Sequence, residues 1–156
     1  MRKTSIKNLI ITLSLLFAVT ISAFFIQANA EDNEMTFHSI YVGSGDALII
    51  SSGEHYMIVD SGPPKSEAMV MNYLKKLNIP ENKIDYVVAT HPDGDHVGNF
   101  QKIFENYEVG QVIYSPCTKA NTTYSKFIES VKEKGCPYRN PVEGESWELG
   151  DATVTV

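Results

Sequence analysis

The apolar positions between residues 35 and 60 come in short β-prone runs. Met35–Val42 is partly alternating, Ala47–Ser52 opens with four apolar residues, and His55–Asp60 is apolar at its centre. Gly43-Ser44-Gly45-Asp46 and Gly53-Glu54 stand between these runs. Three strands with short turn-forming connections predict an antiparallel meander, which Ser61-Gly62-Pro63-Pro64 closes. The period then changes. Ala68, Val70, Met71, Tyr73, Leu74 and Leu77 recur at helical spacing, Lys75 and Lys76 fall in the last turn, and Asn78-Ile79-Pro80 follows, which predicts a helix from about Ser66 to Leu77. Ile84–Ala89 reads as a buried strand and Gly98–Tyr107 as a helix with Val97, Phe100, Ile103 and Phe104 on its apolar side. Gln111–Tyr114 reads as a short buried strand. Thr122–Lys134 reads as an amphipathic helix with Gly135 as its stop. Trp147, Leu149 and Ala152–Val156 predict a closing hairpin.

Strands first, then helix and strand in alternation, predict an α/β fold (α+β layers). No internal repeat or low-complexity tract interrupts residues 31–156, so one domain is expected there. Thr153-Val154-Thr155-Val156 is strand-like up to the last residue, with no turn or polar exit. The expectation is a domain incomplete at its C-terminus.

Residues 1–30 have a different character. Arg2, Lys3 and Lys7 form a basic start, Leu9–Ile26 is apolar and uncharged, and Ala28-Asn29-Ala30 has the small-residue spacing of a cleavage site. This is the pattern of a secretory signal peptide, so the mature chain would start at Glu31 and be secreted. The alternative is an uncleaved membrane anchor, because the apolar run approaches the length of a spanning helix.

Without that segment the charge changes. Three of the thirteen basic residues lie within it and none of the nineteen acidic ones, leaving ten against nineteen, a net of −9. A polyanion gains affinity by releasing counterions to Lys and Arg, so no strong non-specific DNA-binding surface is expected. Cys117 and Cys136 are the two cysteines. In an exported protein such a pair is a disulfide candidate; two buried free thiols are the alternative.

The candidate chemistry sits directly after the buried strand, in Thr90-His91-Pro92-Asp93-Gly94-Asp95-His96-Val97-Gly98. In an extended segment side chains i and i+2 share a side, so His91 and Asp93 can converge, and Pro92 favours extended backbone at His91. Gly94 permits a turn that aims Asp95 and His96 at a second point. Paired imidazole and carboxylate donors with this spacing predict a site for two divalent metal ions, with zinc suited to the donor set and manganese also compatible. The nucleophile would be a water whose pKa the cations lower. Asp-Gly-Asp alone is commonly a solvated turn, and the EF-hand calcium pattern is not matched.

The H-x-D-x-D-H stretch resembles the H-x-H-x-D-H loop of the metallo-β-lactamase-fold hydrolases, with Asp93 where the second His is usual. That substitution is similar to the hydrolase domain of the competence protein ComEC and its free-standing relatives. Val42-Gly43-Ser44-Gly45-Asp46-Ala47 resembles that branch's V-G-Q-G-D-A turn, with Ser44 for Gln, and Ile58-Val59-Asp60-Ser61-Gly62 its I-D-x-G strand end. The resemblance implies an αββα sandwich of which this chain holds the N-terminal half, and a metal-dependent hydrolase acting on phosphoester or phosphodiester bonds. It assigns His91, Asp93, Asp95 and His96 as metal ligands, with Asp95 also catalytic, and Asp60 as the buttress of the ligand loop. A strand-end cap is the other reading of Asp60. The family's later ligands, a G-D aspartate and an H-H-G-S histidine, have no counterpart here, since Gly150-Asp151 precedes a strand as an ordinary turn. The implied substrate is a small anionic ester or a cell-wall or nucleic-acid phosphodiester. A β-lactamase, or a non-catalytic metal-binding module, is the alternative.

Overall fold

The computed structural model describes residues 34–156; the signal peptide, or alternatively the anchor, expected over residues 1–30 lies outside the described residues. Strands β1 (Met35–Ser39), β2 (Ala47–Ser52) and β3 (His55–Ser61) pair antiparallel, which is the expected meander. A one-turn 3-10 segment, Pro64–Ser66, leads into helix α1 (Glu67–Leu77), which ends on Asn78 in the left-handed conformation. Strand β4 (Lys83–Ala89) pairs parallel with β3. Two short helices, α2 (Gly94–Val97) and α3 (Phe100–Asn106), precede β5 (Glu108–Tyr114). Helix α4 (Thr122–Lys134) has the predicted bounds, with Asn121 accepting the Tyr124 N–H at its start and Gly135 in the left-handed region (φ 70°) at its end. β6 (Tyr138–Arg139) completes a six-stranded sheet in the order β1-β2-β3-β4-β5-β6, and β7 (Ser146–Leu149) and β8 (Ala152–Thr155) form a separate antiparallel hairpin.

This topology decides what covers each face. From β3 to β6 the strands are parallel and sequential, and right-handed crossovers in one direction place the connecting helices on one side of a sheet. Val70, Met71 and Leu74 of α1, Phe100, Ile103 and Phe104 of α3, and Phe127 and Val131 of α4 pack there with Ile49, Ile58, Val87 and Val112 of the sheet. Phe100 and Phe127, both almost fully buried, meet at 5.4 Å between ring centroids. On the opposite face, Leu48, Ile50, Met57, Val59, Tyr86 and Val88 meet Trp147, Leu149 and Val154 of the hairpin. The layers run helices, six-stranded sheet, second sheet.

Three expectations are corrected, and one strand is new. β1 stops at Ser39, although Ile40 and Val42 are buried beyond it, because the chain bends into the Gly43–Asp46 turn. The helix expected over Gly98–Tyr107 is present but starts at Phe100, and a separate single turn of helix, Gly94–Val97, precedes it. Gly98 donates its N–H to the Gly62 carbonyl (3.0 Å) and Asn99 to Ser61 Oγ (3.0 Å), so both leave the helical ladder. β6 was not foreseen; two residues are too few to carry a period. Finally, Cys117 and Cys136 are free thiols. Parallel pairing of Val112 with Tyr138 sets Cys136 level with Gly110, at the amino end of β5, whereas Cys117 follows its carboxyl end. The four residues of strand between those levels span about 13 Å, well beyond the ~7 Å Cα separation a disulfide tolerates.

Candidate metal centre

β3 and β4 run parallel, so their carboxyl ends open at the same edge of the sheet, where ligands bind in open α/β sheets. β3 carries Asp60 next to its last residue and β4 delivers Thr90 and His91. Asp60 is an extra residue in its strand: Ala47 pairs with Ser61 and Leu48 with Val59, which leaves Asp60 unpaired as a bulge. Its φ is 56°, a conformation Asp tolerates better than most residues. Bulges re-aim side chains beside functional sites. Here the buried Asp60 carboxylate points at the ligand loop, accepting the Thr90 N–H (2.9 Å) and the Thr90 hydroxyl (2.6 Å). It reaches the loop, not the turn that follows it.

The same carboxylate orients both imidazoles. His96 Nδ1 lies 2.8 Å from Asp60 Oδ2, and His91 Nδ1 lies 2.9 Å from Thr90 Oγ1. The Thr90 hydroxyl proton goes to Asp60, so its bond with His91 needs His91 to donate from Nδ1. Both histidines are thereby held by Nδ1, with Nε2 left as the free donor atom. Their ring centroids are 3.7 Å apart, and ligand atoms of Asp60, His91 and His96 all fall within 4.8 Å of one another. A carboxylate behind a histidine is the usual support of a metal ligand, and two imidazoles with carboxylates suit a divalent ion such as zinc. The residues fit a metal.

Asp93 and Asp95 are placed differently. The expected turn at Gly94 is one helical turn: the Asp93 carbonyl accepts the N–H groups of His96 (2.9 Å) and Val97 (3.1 Å), so Asp93 starts α2. Asp95, half-buried, faces the Gly43–Asp46 turn and accepts the Ser44 hydroxyl at 3.1 Å. That turn is pressed against the loop, since a Cβ on Gly45 (φ 91°) would overlap the Asp95 carbonyl. Asp93 accepts from Lys119 Nζ at 2.8 Å. This hydrogen bond, with the Lys119 charge, holds its carboxyl below the usual range despite some desolvation. Asp46 lies further out, 3.9 Å from His96 Nδ1 and largely exposed.

Beneath the loop is a polar underlay. Ser61 donates its hydroxyl to the His96 carbonyl (3.0 Å), and the buried Asn99 side chain donates to the carbonyls of Ser61 and Pro63. Sequence reasoning missed Thr90, Asn99 and Lys119 as parts of the site. Thr90 and Asn99 flank the motif, which was a usable signal; Lys119 had none.

The sequence family described as the metallo-beta-lactamase superfamily matches residues 40–152. The chain belongs to the metallo-β-lactamase superfamily. Solved structures share its fold. The Rm3 metallo-β-lactamase is 13% identical, with a TM-score of 0.56 over 76% of this chain and 47% of its own. BJP-1, a subclass B3 metallo-β-lactamase of Bradyrhizobium japonicum, is 19% identical, with a TM-score of 0.51 over 79% of this chain and 48% of its own. The rubredoxin oxygen:oxidoreductase of Desulfovibrio gigas is 21% identical, with a TM-score of 0.56 over 78% of this chain and 34% of its own. The chain spans about half the length of these lactamases. Among curated proteins no sequence matches it. Membership of the metallo-β-lactamase superfamily makes hydrolysis plausible, and the superfamily typically binds divalent metals, for which Asp60, His91 and His96 offer a candidate site. An oxidoreductase among the structural matches shows that the fold alone does not fix the chemistry.

Proposed function

We propose that this chain belongs to an exported metal-dependent hydrolase of phosphoester or phosphodiester bonds, resembling the ComEC hydrolase domain. The observation that carries the reading is the pair of histidines held by Nδ1 from one buried carboxylate, with the carboxylates of Asp93 and Asp95 beside them. His91, His96, Asp93 and Asp95 would hold two divalent ions, zinc or manganese. When bound, they supply Lewis acidity and lower the pKa of water. Asp60 and Thr90 fix the imidazole tautomers. Asp95, steadied by Ser44, is the carboxylate available to take a proton from the attacking water.

Three features favour a phosphate ester over a β-lactam. Asp93 in place of the usual histidine makes the donor set harder, which suits metals that bind phosphate oxygens. Lys119 puts an ammonium, a common phosphate partner, at the rim. The acidic balance after residue 30 argues for a small anionic ester or a short stretch of cell-wall or nucleic-acid phosphodiester held by metal rather than by a cationic surface. Export rests on the basic, apolar and Ala-Asn-Ala pattern of residues 1–30, with membrane anchoring as the alternative.

The test is hydrolysis of bis-p-nitrophenyl phosphate and of a chromogenic cephalosporin, with zinc or manganese, by the chain and its His91→Ala and Asp95→Asn variants. Metal-dependent phosphodiester cleavage lost in both variants is expected. Cleavage of the cephalosporin alone would make it a β-lactamase. No turnover by folded, metal-loaded chain would favour a non-catalytic module.

A further inference from the structure

We propose that Lys119 is a resident cation of the metal centre, competing with a metal ion for the Asp93 carboxylate. Metal then enters the Asp93 side of the site only by displacing the ammonium. The inference rests on reading His91, Asp93, Asp95 and His96 as a metal centre.

Placement distinguishes Lys119 from an ordinary surface lysine. Its Nζ is 2.8 Å from Asp93 Oδ1, and the loop that carries it is tied to both sides of the motif. At one end Ser115 donates its N–H to the Ala89 carbonyl (3.1 Å), just before the ligand loop. At the other, Asn121 donates its side-chain amide to the Pro92 carbonyl (3.4 Å), inside it. Asn121 also starts α4 by accepting the Tyr124 N–H (2.7 Å). Thr123 of that helix lies 3.3 Å from where a Gly94 Cβ would stand. Lys119 is therefore delivered from a base anchored on the motif itself.

The consequence shows in which residues converge. His91 and His96 lie side by side, ring centroids 3.7 Å apart, whereas the Asp93 carboxylate is turned to the ammonium. An ammonium and a divalent ion cannot share one carboxylate oxygen without repulsion at a few ångströms. The contact is exposed on both sides, 52% and 39%, so the competition is modest in size. The two halves of the site are thus inequivalent: the histidine side loads freely and the Asp93 side loads against Lys119.

Calorimetric titration of the full chain with zinc at low salt tests this. The wild type is expected to bind a first equivalent more tightly than a second. Lys119→Met should tighten the second by about two- to fivefold and leave the first unchanged. Lys119→Arg, which keeps a cation on the same loop, should behave as wild type. So should Lys126→Met, which removes an equal charge from α4 away from Asp93. Unchanged second-site affinity in Lys119→Met overturns the proposal, as does an equal gain in Lys126→Met, which would mean bulk charge alone. If the folded wild type takes up no zinc, both this proposal and the metal-centre reading fail. If it binds zinc and Lys119→Met changes nothing, only this proposal fails. Thermal unfolding of each variant confirms that the exposed substitutions leave the fold intact.

Discussion

Asp60 shows how much one residue can organise. Its two oxygens serve three donors, the Thr90 N–H, the Thr90 hydroxyl and His96 Nδ1, from a backbone conformation with φ 56°. Asp60→Ala would leave the Thr90 amide and the half-buried His96 ring nitrogen without their acceptor, and Ala tolerates the positive φ less well than Asp. The expected loss is about 2–4 kcal/mol in urea unfolding, with zinc affinity down roughly 10–100-fold. Asp60→Asn tolerates the backbone but gives up one acceptor oxygen. It should keep most of the stability and still lose affinity, so the two measurements separate orientation from folding. The sequence pointed to Asp60 as buttress or cap, but which one depended on a bulge. A bulge is set by the register of β2 against β3, which no local pattern reports. Lys119 was illegible for a related reason: its partner Asp93 is 26 residues away and its loop has no period.

At the scale of elements, the helices with a long apolar stripe and clear caps were readable, α4 to the residue. Helix ends set by tertiary contacts were not. The break between α2 and α3 exists because Gly62 and Ser61 take the N–H groups of Gly98 and Asn99. The same logic makes the Gly43–Asp46 turn part of the site. Gly45→Ala would strain the positive φ and push against the Asp95 backbone. It should cost about 2 kcal/mol or more and weaken metal binding, read by unfolding and zinc titration together. The link from β6 to β7 carries a pH dependence. Arg139 holds Glu145 by a hydrogen bond, the Val142 N–H adds another, and the carboxyl sits below its ordinary 4.5. A depressed folded pKa means the unfolded chain binds the proton more readily. The pair therefore stabilises above the ordinary value and loses that contribution as pH falls through the folded one. Glu145→Gln should lower stability modestly at neutral pH, leave it little changed at pH below the folded pKa, and so flatten the acid side of a stability–pH profile, as thermal melts across that range would show.

At the scale of the molecule, the layer order followed from the order of patterns, a meander and then alternating helix and strand, because right-handed crossovers leave few other arrangements. The pairing of cysteines did not follow, because it depends on direction along the sheet. Parallel β5 and β6 carry Cys117 and Cys136 to opposite ends of the sheet. Export would place both in an oxidising compartment, yet no bridge can close without dismantling β5 or β6. Chain denatured without reductant, under conditions that block new oxidation, should therefore titrate two thiols, and reductant should not shift the folded chain's melting temperature. In the folded chain the two should differ: Cys117 is exposed, whereas burial both shields Cys136 and pushes its thiol up, leaving less reactive thiolate. Cys117 should be alkylated first, at neutral pH, and Cys136 only as the pH is raised or the fold opens. Zero thiols, with reductant lowering stability by the ~3 kcal/mol such a loop closure is worth, would require β5 and β6 to pair otherwise. Tyr114, whose carbonyl accepts from Asn140 at 2.8 Å, and the loop that carries Lys119 would then move with them.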